Sequence, residues 1–298
     1  MRKSELLTMS AVRVRHVLSI FLGGKEMLEF SNWQGYKVSF DNDTYHICSP
    51  WQIQDSPVFG PDSDYTTLAI SLIGLMNSNS IHIDKVSVGE KEIDKEILIV
   101  ATGIQDSSED AEWNLICHDA AALSISRSTT TVFQNPTDLL DIDSEIYQQI
   151  NLAWEKETSL GNVSQGAYIS SQQYGESLNS RLNLLAQFDD KTIWPPRQLN
   201  DEGSVIDNPK IRLSSTCQIE SWTKLSAAGA PSEFSIRAPI LDGISTVYVS
   251  FGEGTYGVFL LTDDQNIQPV IGMTGEIVVR RIYSQEGKIR YGTKVQLN

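Results

Sequence analysis

The sequence predicts an α/β unit followed by an all-β unit. Three observations carry that reading. Helical runs alternate with short apolar strands through the first part of the chain. Seven strand-like segments crowd the stretch from Lys210 onward, and glycine-bearing turns separate several of them. The 298 residues suffice for about two domains, and with 40% hydrophobic and 20% charged residues they can bury sizeable cores.

The elements follow in order. Val12–Leu22 is apolar enough for a strand or a buried helical turn. Lys37–Phe40 and Tyr45–Cys48 alternate around Asp41-Asn42-Asp43, a hairpin signal. The loop Gly60-Pro61-Asp62-Ser63-Asp64 ends in an N-cap, and Leu68, Leu72, Leu75 and Met76 then share one helical face. Ile97–Ala101 reads as a doubly covered strand, and Ala120–Ile125 as another. Asp138–Lys156 is spaced as a helix through Ile142, Ile146, Ile150 and Ala153. Ser159–Gly175 reads as a connection, and Tyr174–Phe188 as a further helix stopped by Trp194-Pro195-Pro196. The later strands are expected at Ile211–Leu213, Gln218–Leu225, Glu233–Ala238, Thr246–Phe251, Tyr256–Leu261, Glu276–Tyr283 and Tyr291–Gln296. About 90 residues of short strands suit a small barrel, and an OB-type barrel fits by size.

Charge and cysteine content narrow the function. The net charge is −15, which argues against general nucleic-acid binding. It is uneven: Asp84–Glu157 holds 16 acidic against 5 basic residues, Val270–Asn298 only 2 against 5. Apolar runs such as Leu68–Met76 are far shorter than the ~20 residues of a membrane span. Arg13, Arg15 and His16 interrupt the first apolar stretch, so no secretory signal is expected there. Cys48, Cys117 and Cys217 are widely spaced, with no Cys-x-x-Cys pair, which suits reduced thiols in a cytoplasmic protein.

Two stretches resemble known families. Val249–Gly254, Leu260–Asp264, Ile271–Met273, Val279–Tyr283 and Gln285–Gly287, preceded by Tyr174–Leu178, Arg181 and Trp194-Pro195-Pro196-Arg197, resemble the acyl-CoA-associated OB-fold family known as DUF35. Ile97–Ala101, Glu109, Glu112 and Cys117–Ala122 resemble part of a thiolase-fold enzyme of the 3-hydroxy-3-methylglutaryl-CoA synthase type. The resemblance implies a truncated thiolase-like α/β domain over 1–160, a helix and degenerate zinc-ribbon region over 161–209, and an OB-fold domain over 210–298. It places the ribbon's cysteines near Ala186, Asp189, Asn200 and Gly203, where none stands, so no structural zinc is expected. It places the thiolase nucleophile at the start of the helix after Gly60, where Ser63 stands instead of cysteine.

The remaining chemistry is sparse. Cys48 beside His46 reads first as a packed strand cysteine, and Cys117-His118 as neighbours pointing to opposite faces. Cys217 reads as core, His82 as a half-exposed structural residue, and Glu109, Asp110 and Glu112 as a solvated loop. Arg280, Arg281, Lys288 and Arg290, with Lys294, cluster on the last two strands, and are the candidate contacts for a CoA phosphate or an acidic partner. No catalytic residue, metal site or resident cofactor is expected. The resemblance thus implies a non-catalytic scaffold subunit of a thiolase/acyltransferase complex acting on acyl thioesters. Its partners would be thiolase-fold or 3-ketoacyl-synthase-like subunits in a hetero-oligomer, with acyl-CoA as a further ligand. A truncated half-fold would also leave an apolar face for such a partner to cover. Two alternatives stand beside it: a condensing enzyme with a non-standard nucleophile, and an OB-fold protein binding another ligand.

Overall fold

A computed structural model describes residues 29–298 except 42, 90, 108, 120, 162–169, 198, 207, 253 and 266, and of residue 189 the backbone. The expected element at Val12–Leu22 lies outside the described residues. The first unit is a seven-stranded mixed sheet in the order β1-β2-β3-β9-β8-β6-β7. Its strands are β1 (Ser31–Trp33), β2 (Tyr36–Asp41), β3 (Thr44–Cys48), β6 (Lys85–Val88), β7 (Gln105–Asp106), β8 (Trp113–His118) and β9 (Ala122–Ser126). The β2–β3 hairpin forms as expected, with Asp43 at φ 66° in its turn.

Helix α1 (Tyr65–Ser78) starts where the sequence signals it. The Asp64 carboxylate accepts from the Thr67 amide and the Thr67 hydroxyl bonds back to the Asp64 amide, a reciprocal cap. Leu68, Leu72 and Met76 bury against Val38, Ile47, Val86, Leu115, Leu123 and Ile125 of the sheet. The alternate strand residues Ser39, His46 and Ser124 face the other side. Phe133 lies over that side, 5.8 Å from His46 and stacked 5.4 Å from His118, and Lys37 pairs there with Asp138. The expected bare apolar face is therefore, at this side of the sheet, a polar one covered by the chain itself.

Several expected elements differ. Ile97–Ala101 is helical, within α2 (Lys95–Thr102), because Asp94 caps the Ile97 amide and Gly103 closes the helix at φ 76°. The helix expected over Asp138–Lys156 begins later: β10 (Leu140–Asp141) pairs with β4 (Trp51–Ile53), itself in hairpin with β5 (Ser56–Val58). Asp143 then caps α3 (Ser144–Thr158). Helix α4 (Ser171–Leu182) starts in the expected connection and ends before Leu185, which lies in β11 (Leu185–Asp189).

With β12 (Lys191–Ile193) and β13 (Lys210–Arg212), β11 forms a three-stranded sheet, so the expected barrel strand at Ile211 belongs here. Ala186, one of the positions assigned to a zinc cysteine, is fully buried in β11. Asn200, another, holds a turn instead: its Oδ1 accepts from the amides of Glu202 and Ser204 at 3.0 and 2.8 Å.

The second unit is a closed barrel in the order β14-β15-β16-β18-β17. Its strands are β14 (Thr216–Leu225), β15 (Ile244–Ser250), β16 (Tyr256–Leu261), β17 (Thr274–Gln285) and β18 (Lys288–Leu297). This five-strand closure is compatible with an OB-type barrel. Its core holds Cys217, Ile219, Val247, Val249, Phe259, Leu261, Ile277 and Val295. The strand expected at Glu233–Ala238 is a short 3-10 turn at Ser232–Phe234 and further turns. That conformation sends Arg237 inward to Glu157 at 2.8 Å. Four helices and a majority of strands make the molecule mostly β among the described residues, and none of its helices is long and apolar enough to cross a membrane.

Candidate functional site

The predicted cations do not form one surface patch. Arg280 has no exposed surface. Its Nε lies 3.3 Å from Asp264 Oδ2 and 3.7 Å from Asp62 Oδ1, one terminal nitrogen donates to the Gln34 carbonyl at 2.6 Å, and its guanidinium covers the Tyr36 ring. It is an internal counterion that a phosphate cannot reach. Arg281 stacks over Trp154 at 4.4 Å and donates to the Pro61 carbonyl. Arg290 covers Tyr174 and donates to Ser171 Oγ at 2.9 Å. Lys288 is exposed at the start of β18.

What these residues build is a seam between the two units. Lys294 Nζ sits 2.8 Å from both Asp62 Oδ2 and Asp263 Oδ2. The Asp263 amide donates to Asp62 at 2.9 Å, and the Arg281 amide to the Asp62 carbonyl at 3.0 Å. Ser63 is 1% exposed. Its hydroxyl donates to Asp264 Oδ2 at 2.8 Å and accepts from the Tyr36 hydroxyl at 3.1 Å. Gly60 is required for this approach, since a Cβ there would lie 2.0 Å from Asp264 Oδ1. Burial, then the Asp62 charge, push the Asp264 carboxyl up to about 7. Burial also acts upward on Asp62, but Lys294 and Arg280 outweigh it and hold that carboxyl below its usual range. Each carboxyl keeps one buried oxygen without a donor, and the side-chain contact with Asp62 adds to the upward push on Asp264.

The thiols of Cys48 and Cys217 are poor nucleophiles. Burial pushes Cys48 up to about 12, and does the same for Cys217. His46 shares a face with Cys48 but bonds to Ser124 Oγ at 2.7 Å, and His118 Nε2 reaches the same hydroxyl at 2.7 Å. Burial, then the neighbouring His118, lower His46 to about 4, so its ring is neutral at pH 7. Cys117 packs against the sheet core, away from His118. Asp110 pairs with Lys85, and Glu112 with Arg127 at 3.0 Å. His82 is exposed. Among the described residues no group of three or more His, Cys, Asp or Glu could hold a metal ion.

A cleft of about 560 Å³ opens on the barrel beside α4. Tyr174, Trp194, Tyr248, Tyr256, Phe259 and Tyr283 line it, with Arg181 at its edge. It exists because the barrel is sealed unevenly: β16 meets β18 only at Leu260 and Leu261. Beyond that point the Tyr174 hydroxyl donates to the Tyr291 carbonyl and accepts from its amide, both at 2.9 Å, standing in for a neighbouring strand.

The chain matches no family model and no curated protein. Function is therefore argued from the seam and the cleft. Sequence reasoning missed both as sites. The acidic loop Gly60–Asp64 was legible as a cap and, by resemblance, as the place of a nucleophile where Ser63 stands, and nothing local pairs it with strands more than 200 residues later. Trp194 was legible as a helix stop and as part of a family resemblance, not as a cleft wall, yet its ring stacks 6.2 Å from Phe259 at the cleft.

Proposed function

We propose that this chain is a non-catalytic scaffold subunit of a multi-subunit thiolase/acyltransferase assembly acting on acyl thioesters. In this reading a truncated thiolase-like unit and an OB-fold unit, joined as one block, seat the catalytic subunits. The observation that carries it is the fate of Ser63. At the helix start, where the resemblance places a nucleophile, this side chain is buried and spent on Asp264 of the barrel. A reactive hydroxyl needs an adjacent base and access to substrate. Ser63 instead helps weld the two units together. The raised thiols of Cys48 and Cys217 weigh in the same direction.

The barrel's outer face supports a partner. Tyr248, Tyr256 and Val258 are exposed there, Val258 by 69%. Tyr248 and Tyr256 stack at 5.3 Å. Large apolar groups left outward on paired strands suit an interface core. Coexpression with thiolase-fold and 3-ketoacyl-synthase-like proteins, followed by sedimentation, tests the reading. A stable complex burying more than ~1,600 Å² is expected. A chain that stays monomeric beside those proteins, or that is acylated by acyl-CoA on Ser63, Cys48 or Cys117, would overturn it.

A further inference from the structure

The ladder of β16 leaves one edge open. Phe251 donates to the Thr255 carbonyl, which fixes Thr255, Gly257 and Phe259 as the residues bonded to β15 along the continuing register. The amides and carbonyls of Tyr256 and Val258 therefore point the other way, toward β18. Contact with β18 starts only at Leu260, so this row has no strand partner among the described residues. The facing edge of β18 is already taken at Tyr291 by the Tyr174 hydroxyl. The row on β16 borders the cleft, whose wall also carries Pro195, which has no amide hydrogen to offer.

Two further features describe what fits. Tyr248, Tyr256 and Val258 present side chains beside the open edge, where alternate residues of an added strand would meet them. The Arg181 guanidinium has no hydrogen bond or ion pair among the described residues, and its Nε is buried without an acceptor. In a chain of net charge −15, an unpaired guanidinium at a cleft selects for a carboxylate.

We infer that the cleft receives an extended segment of a partner protein as an added strand on the Tyr256–Phe259 edge of β16. The segment carries apolar side chains at alternate positions and an Asp or Glu that pairs with Arg181. Backbone bonds to Tyr256 and Val258 supply affinity, and the alternate side chains supply selection. At about 3.3 Å per residue a strand of roughly four residues spans the edge. This deepens the scaffold reading and rests on it only in taking the occupant to be a protein.

The test is selection of random twelve-residue peptides displayed on phage against the full chain, then calorimetry with the synthesised winners. Winners with apolar alternation and one acidic residue are expected. Val258→Pro removes only the outward amide and should weaken binding by at least about tenfold, and Arg181→Ala by about fivefold to tenfold. N-methylation of alternate peptide amides should abolish binding to the unmodified chain, which covers the case in which Val258→Pro does not fold. No winners, winners indifferent to Val258→Pro and N-methylation, or a cleft that takes 1-naphthoate but no peptide would each overturn the inference. Peptide binding without co-sedimentation removes the acyl-thioester assignment and leaves the added strand. Co-sedimentation without peptide binding does the reverse.

Discussion

Lys294 on the last barrel strand sits 2.8 Å from Asp62, which lies in the loop before the first helix, and both side chains are buried. With Arg280 and Asp264 they make the junction of the two units an ionic one. Such pairs cost desolvation to form, yet leave a bare buried charge when one partner is removed. Replacing Arg280 by Met should therefore destabilise the chain by about 3–5 kcal/mol, read from urea denaturation. Asp62→Asn combined with Arg280→Met should recover part of that loss, and strict additivity of the two would argue against the network.

Protonation of Asp264 should set the pH dependence. Its carboxyl is raised from an ordinary 3.8 to about 7 in the folded chain. The folded state then binds more protons than the unfolded one between those values, so stability falls as pH rises through that window. The loss should be on the order of 2 kcal/mol from pH 5 to pH 7. The raised Glu157 acts in the same sense, while Asp62, held low, loses its contribution only in acid. Asp264→Asn imitates the protonated form and should flatten the profile between pH 5 and pH 8. An unchanged slope in that variant would reject the assignment.

Much of the local structure was legible. The loop ending in a cap at Asp64 announced α1, and the Asp41–Asp43 turn announced its hairpin, because each signal lies within a few residues of its effect. Ile97–Ala101 misled because a short apolar run fits a strand or a helix equally. The deciding residues, Asp94 and Gly103, flank the run rather than sit in it. Arg280 was legible as a cation but not as a buried one, since its partners come from distant loops. The cleft was not legible at all, because it depends on where a strand ladder stops.

Tyr174→Phe isolates the hydroxyl that caps Tyr291. Losing it strands a buried amide and carbonyl, at a cost of about 2–3 kcal/mol. Hydrogen exchange at the Tyr291 amide should accelerate well beyond that of its neighbours in β18.

Gly60→Ala should be poorly tolerated. Its methyl would meet Asp264 Oδ1, whose carboxyl is pinned by Ser63 and Arg280. A loss of about 2 kcal/mol or more in thermal or urea unfolding is expected. In a background of Asp264→Ala the same change should cost much less.

Cys48 and Cys217 should stay silent toward a thiol reagent at pH 8 in the folded chain and react only on unfolding, because burial raises both. Rapid labelling of either without loss of structure would contradict that placement.

The pairing of Asp62 with Lys294 also has a consequence in time. The two are separated by 232 residues. At ordinary rates of synthesis Asp62 leaves the ribosome roughly 10–50 s before its counterion exists. Through that interval Tyr36 and Trp154 of the first unit can hold Ser63 and the Pro61 carbonyl, but the Asp62 carboxylate lacks its lysine. The first unit can assemble its sheet and α1, but its docking edge waits for the fifth barrel strand to be translated. A ribosome stalled before β18 should therefore hold a nascent chain whose loop is cut by protease while α1 is protected.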